Sequence, residues 1–222
     1  MKLLTVGNTK TVKGEKLGYM TFIMHLAPSD VSGYNACPMA SAGCRSACLN
    51  TAGRGRFDAT QAARIRKTRE FFENRVAFMA QLEKDIVAAE KKAAREGFVP
   101  VIRLNGTSDI RWENEGIMEK FPHIQFYDYT KIANRRNLPA NYNLTFSRSE
   151  SNDAVLPSVT DNIAVVFNVK KGAPLPATYI GRPVVDGDET DLRFLDPANV
   201  VVGLRGKGEA KKSSHGGFVV NV

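Results

Sequence analysis

Two nearly uninterrupted apolar runs constrain the fold of this 222-residue chain more than anything else in it: IAVVFNV at Ile163–Val169 and NVVVGL at Asn199–Leu204. A strand with one wet face alternates apolar and polar residues. A strand without alternation is buried on both faces, the condition of a parallel sheet covered by helices. Shorter β-like runs occur at Tyr19–Leu26, Val99–Leu104, Ile124–Tyr129, Tyr142–Phe146, Pro183–Val185 and Gly217–Val220. Short helical or turn segments are expected between several of them, at Gly116–Lys120, Lys131–Arg136 and Ala154–Val159. Alternation of this kind defines an α/β fold. We expect a partial parallel (β/α) barrel forming one domain over residues 1–222, a length that supports one sizeable core.

The clearest helical region runs from Asp58 to Glu96. Asp58 followed by Gln61 reads as a capping box, and Gly97 as the stop, with Lys91, Lys92 and Arg95 suiting the C-terminal dipole. Ile65, Phe72, Val76, Met79, Leu82 and Ile86 recur at helical spacing and are expected to form a buried stripe, with a break near Asn74.

Several of the strands run directly into polar segments. VIRL leads into Asn105-Gly106-Thr107-Ser108-Asp109, IQFY into Asp128-Tyr129-Thr130-Lys131, and LTF into Ser147-Arg148-Ser149-Glu150. PVV leads into Asp186-Gly187-Asp188 and VVGL into Arg205-Gly206-Lys207-Gly208. Sites in parallel α/β folds are built at the carboxyl ends of strands. Arg103, Asn105, Asp109, Asp128, Lys131, Arg148 and Glu150 are therefore expected around one cavity.

The three cysteines lie together in a Gly-rich loop over residues 32–56, as Cys37, Cys44 and Cys48 with spacing C-x6-C-x3-C. Cys44 and Cys48 are four positions apart, a spacing that can put both on one helical face, with Arg45, Arg54 and Arg56 stabilising thiolates. Three thiolates leave one iron of a four-iron cluster open, whereas a structural zinc site wants a fourth ligand. His25, His123 and His215 are the remaining candidates for it, none at finger-like spacing. A [4Fe–4S] cluster is the expected cofactor, with zinc and a redox or buried-thiol role as alternatives.

The other motifs are weaker. Asp186, Asp188 and Asp191 suit either a hard cation or an ordinary acidic turn, the latter preferred. Gly203, Gly206 and Gly208 with Lys207 lack the P-loop pattern. Trp112 suits a pocket wall or the core equally well. The net charge of +8 favours polyanions and gives nucleic acid as a candidate partner. No apolar run approaches the roughly 18 residues of a membrane span. The first twenty residues lack a signal-peptide core, so a reducing cytoplasm is the expected compartment. Nothing fixes the oligomeric state.

With these residues assembled, the chain resembles gene product 88, a family of phage and prophage proteins, over nearly its whole length. The resemblance rests on GNTK at Gly7–Lys10, the cysteine segment, RLNGTSD at Arg103–Asp109 and FYDYTK at Phe126–Lys131. It continues through NYNLTFSRSE at Asn141–Glu150, GDETDLRFLDP at Gly187–Pro197 and GLRGKG at Gly203–Gly208. It implies a phage protein in the cytoplasm of a bacterial host.

More distantly, a strand, a three-cysteine loop, a helix and a series of βα units look like a radical S-adenosylmethionine enzyme. The usual spacing there is C-x3-C-x2-C. That resemblance implies cluster ligation by Cys37, Cys44 and Cys48, and S-adenosylmethionine held through Arg103, Asn105, Asp109 and Asp128. Lys131, Arg148 and Glu150 would face the substrate. The alternative is a non-catalytic metal-bound module that binds nucleic acid or a host protein through its basic surface.

Overall fold

The computed structural model describes residues 1–6 and 11–222; the GNTK string at Gly7–Lys10 lies outside the described residues. The strands are β1 (Leu4–Thr5), β2 (Tyr19–Met24), β3 (Val99–Arg103), β4 (Gln125–Thr130), β5 (Tyr142–Ser147), β6 (Ile163–Phe167), β7 (Thr178–Tyr179), β8 (Arg182–Asp186), β9 (Val201–Arg205) and β10 (Val219–Val220). The α-helices are α1 (Ala42–Ser46), α2 (Asp58–Glu73), α3 (Arg75–Arg95) and α4 (Ile117–Lys120).

These strands make one ten-stranded, mostly parallel sheet whose main path is β1-β2-β3-β4-β5-β6-β9-β8-β7, with β10 off it against β6. From β2 to β6, sequence neighbours are spatial neighbours, all parallel. The hydrogen-bonding path runs from β1 to β7, and among the described residues no pairing joins these ends. The fold is thus a mixed α/β sheet with open edges, in which the winding is sequential from β2 to β6 and then jumps to β9 and runs back through β8 to β7. The two apolar runs became β6 and β9, which pair with each other in the middle of the path. β5 pairs with the first half of β6, and β10 takes over the same side at Val166 and Phe167.

One face of the sheet carries the main core. Phe71, Phe78, Leu82 and Ile86 of α2 and α3 pack there with Phe22, Met24, Ile102, Leu104 and Phe126. On the other face, Val101 and Tyr127 meet Leu192, which arrives from the loop after β8. Asp191 beside it pairs with Arg103 at 3.0 Å.

The helical region divides at Asn74 as expected, and Gly97 ends α3 with φ +78°. Other expectations are corrected. Val76 is 86% exposed, because the break resets the helical register and gives the buried stripe to Phe78, Leu82 and Ile86. Asp58 is the first residue of α2 and makes no side-chain cap. Gln61 instead reaches back to the carbonyls of Asn50 and Gly55 at 2.8 and 2.5 Å. Lys131–Arg136 forms bends and a turn. Asp109 takes the Lys131 N–H and the Thr130 hydroxyl takes that of Ile132, while Asn134 adopts φ +52°.

Candidate functional site

The three cysteines occupy the long connection from β2 to α2, above the carboxyl edge of the sheet. Neighbouring strand-end loops fasten that connection from several sides. Ahead of Cys37, the Ala36 carbonyl accepts from the Asp109 N–H at 2.8 Å. Cys37 itself points its thiol at the Thr107 carbonyl, 3.6 Å away. The Thr107 hydroxyl donates to the Leu26 carbonyl at 2.5 Å. Gly106 makes this approach feasible, since a Cβ there would lie 2.5 Å from the Met24 carbonyl oxygen.

Cys44 sits in α1, a helix of five residues capped by the Ser41 hydroxyl, which accepts from the Cys44 N–H at 3.1 Å. Glu150, from the loop after β5, grips the start of that helix with both oxygens. One accepts from Gly43 N–H at 2.7 Å and the other from the Ser41 hydroxyl at 2.8 Å. Cys44 packs against Ala47, Ala210, Phe218 and Val219. Gly43 lies against the His215 carbonyl, with no room for a side chain. Cys48 falls outside α1, at ψ 133°, where its sulfur accepts from Asn50 N–H at 3.5 Å. The expectation of a shared helical face for Cys44 and Cys48 is corrected accordingly: α1 ends at Ser46 and the chain turns away.

Burial governs the thiols. It pushes Cys37 up to about 12, with Cys48, Asp109 and Cys44 adding to the rise and a backbone bond from Ser29 opposing it. Cys44 is raised by burial, helped by Glu150 and Asp109 and opposed by Lys131 and, last, Arg45. Cys48 is raised by burial, against the Asn50 N–H, Arg64 and Lys131. Cys37 and Cys48 thus each feel a neighbouring thiol of the set. At neutral pH these thiols are protonated unless a cation takes them up, the opposite of a reactive nucleophilic cysteine. The expected partners Arg54 and Arg56 are exposed; Arg64 and Lys131 act on the sulfurs in their place. Among the described residues, no group of three or more His, Cys, Asp or Glu side chains is arranged to hold a metal ion.

The seven polar residues expected around one cavity divide into three sets. Asp109, Lys131 and Glu150 lie with the thiols. The Asp109 carboxyl is buried and raised for that reason, against bonds from Lys131 N–H and Thr130. Lys131 donates to Ser147 at 2.7 Å and lies 5.4 Å from the centre of the Phe218 ring. Beside Asp109 and Pro38 opens a cavity of about 240 Å³, walled further by Phe72, Arg75 and Arg111.

Arg103, Asn105 and Asp128 form a second, internal set. The Asn105 carbonyl oxygen accepts from Ser108, Ile110 N–H and Trp112 at 2.8, 2.9 and 3.0 Å, and its amide donates to Ile110 at 2.9 Å. Trp112 is fully buried, so it is a core residue bonded to that loop. Asp128, also fully buried, accepts from Asn105 N–H at 2.8 Å and Tyr142 at 3.0 Å. Burial raises it to about 7, although Arg103, 3.9 Å away, pulls the other way. Burial works against the Arg103 charge too, but Asp191 leads the groups that outweigh it.

Arg148 stands alone as the third. It holds Asp153 with two nitrogens, at 2.6 and 2.5 Å, and bonds the backbone carbonyls of Gly217 and Phe218. The acidic turn is likewise taken up in ion pairs: Arg205 pairs with Asp186 and Asp188, and Lys207 with Asp188 at 2.8 Å.

Sequence reasoning gave Gln61 a capping role and missed that it braces the Asn50–Gly55 stretch behind Cys48, and it placed His25 only among the candidates for a fourth ligand. Burial, then Arg64, Arg103 and Lys67, lower His25 to about 3. A lone histidine carries no sequence signal for such surroundings.

Fold and site together define a class: a mostly parallel α/β protein with a three-thiol loop laced across the carboxyl edge of its sheet. Within that class the chain is placed by its family, since the model of the family described as Gene product 88 matches residues 2–221, and the chain belongs to that family. No curated protein and no solved structure matches it, and the likeness to radical S-adenosylmethionine enzymes gains no support from these comparisons.

Proposed function

We propose that Cys37, Cys44 and Cys48 hold a [4Fe–4S] cluster and that this loop is the functional centre. One observation carries the reading: three half-buried thiols come from a single loop, and the charges of Cys48 and Cys44 bear on Cys37 as that of Cys44 bears on Cys48. The chemistry of the donor set fits. Soft thiolates suit iron–sulfur clusters, and backbone N–H groups of Ser29 and Asn50 reach two of the sulfurs, the kind of bond that tunes cluster potential.

When bound, such a cluster supplies one-electron chemistry and an iron open to a further ligand. The chain's own residues then have definite tasks. Glu150 keeps α1 in place, and Lys131 offers a cation beside Cys44 and Cys48. Asp109 holds a carboxyl at the cavity wall. S-adenosylmethionine is the finer proposal for the open iron. Asn105 is occupied within its own loop, so Asp109 and Lys131 would carry that recognition.

Anaerobic reconstitution with iron and sulfide should give a brown protein with about four of each per chain. Cys37→Ser, Cys44→Ser or Cys48→Ser should each lose colour and thermal stability together, because ligation and folding are linked. A colourless product with one zinc, or with three thiols still titratable, would overturn the cluster. Release of 5′-deoxyadenosine from S-adenosylmethionine under strong reductant tests the finer proposal, and its absence in the brown protein would remove radical chemistry alone.

A further inference from the structure

The positive charge of this protein is unevenly neutralised. Many of its cations are tied to carboxylates: Arg75 to Glu115, Lys120 to Glu83, Arg135 to Glu113, Arg193 to Asp196 and Arg205 to Asp186. The outer rim of the cysteine loop differs. Gly208 packs on Ala52, since a Cβ at Gly208 would lie 3.0 Å from that of Ala52. This brings the Arg54–Arg56 turn beside the Lys207–Lys212 segment, two basic stretches far apart in the chain. Arg54, Arg56 and Lys211 are exposed. Among the described residues none of the three has an ion pair, while Glu209 and Asp188 are taken up by Lys212 and Lys207.

Apolar groups stand among these cations. Phe57 is 54% exposed and Leu49 53%, and the Arg56 guanidinium lies 5.9 Å from the centre of the Phe57 ring. Neither residue is needed by the core, and a solvated face gains nothing from leaving a phenyl ring in water. Unpaired cations next to an open aromatic ring match the chemistry of a single strand, whose phosphates need charge and whose unpaired bases need a stacking surface.

We propose that this rim binds single-stranded nucleic acid, with Arg54, Arg56 and Lys211 on phosphates and Phe57 against a base. The surface stands on charge and exposure, and does not depend on the cluster.

Fluorescence anisotropy of a labelled single strand of about 20 nucleotides tests it. Three phosphates neutralised on a single strand give a salt slope of about −2, so affinity should fall about 20-fold between about 50 and 200 mM salt. Arg54→Gln with Arg56→Gln and Lys211→Gln should lose a similar factor at the lower salt and flatten the slope. Phe57→Ala should weaken binding about tenfold with the slope unchanged, as loss of one stacked base predicts. Lys84→Gln with Lys91→Gln and Arg95→Gln, an equal charge change on α3, should stay within about twofold of the parent if binding is local rather than a net-charge effect. A thermal melt of each variant verifies folding. No binding at low salt, an equal loss in the α3 variant, equal affinity for duplex, or binding to phosphatidylglycerol vesicles without binding to the strand would each overturn the proposal.

Discussion

Replacing Gly43 by alanine should move the helix that carries Cys44. A methyl group there would lie 2.7 Å from Phe218 Cβ and 2.8 Å from a Glu150 carboxylate oxygen, with the His215 carbonyl oxygen closer still. Two of the three obstacles belong to the C-terminal segment at or next to the backbone, so neither can swing aside like the end of a long side chain. Forced overpacking costs about 1–3 kcal/mol. The Gly43 N–H bond to the Glu150 carboxylate is charge-assisted, and losing such a bond costs about 1.5–3 kcal/mol. Against this, alanine in place of glycine stabilises a helix by up to about 1 kcal/mol. The net loss is about 2–4 kcal/mol, or roughly 5–15 °C in melting temperature for a chain of this size. A thermal melt by circular dichroism reads the stability, and the rate of Cys44 reaction with a thiol reagent reads the displacement. The thiol should react faster at temperatures well below the melt. A Gly43→Ala protein that melts within a degree of the parent, with unchanged thiol reactivity, would refute the packing of α1 against the His215–Phe218 segment.

The internal polar set makes further predictions. Asp128 titrates near 7 in the fold against an ordinary 3.8, so the folded state binds its proton more tightly and stability falls as pH rises from about 4 to 7. His25 titrates near 3 in the fold against 6.5, so stability rises with pH over about 3 to 6.5. The two slopes oppose each other. Asp128→Asn should therefore expose a rising slope approaching about 1.4 kcal/mol per pH unit between pH 4 and 6, read by urea denaturation at several pH values. A slope identical to the parent's would refute the raised Asp128. Asn105→Ala removes the acceptor shared by Ser108, Ile110 and Trp112 and should cost about 2–4 kcal/mol, because buried donors are left unpaired. A matching red shift in Trp112 fluorescence would report the loosened indole, and an unshifted spectrum with full stability would refute the bracket.

Much of the architecture is local and was legible in the chain. Unbroken apolar runs such as Ile163–Phe167 became strands buried on both faces, because no alternation leaves a side free for water. Asn74 and Gly97 divided and ended the helices as their backbone preferences require. The cysteine cluster was legible for the same reason, since its members lie within twelve residues of one another. Local spacing could not say what distant segments would supply. Asp58 and Gln61 fit a capping box as well as they fit anything, until the fold brings Asn50 and Gly55 within reach of the Gln61 amide. Val76 fits the apolar stripe until the break turns α3.

Tertiary structure alone decided the partners of each charge. Arg103 is neutralised by Asp191, 88 residues later, and Glu150 holds Gly43 across 107 residues. Arg148 and Asn105 looked available because a sequence shows that a side chain can bond, never with what. Their donors and acceptors are taken up inside the fold, because a buried polar group left unpaired costs more than a bonded one gains. The sequence alone determined that a mostly parallel sheet would form and that three thiols would share its edge. The pairing of loops across the sheet decided which polar side chains are left to face them, since that depends on distances the chain closes only when folded.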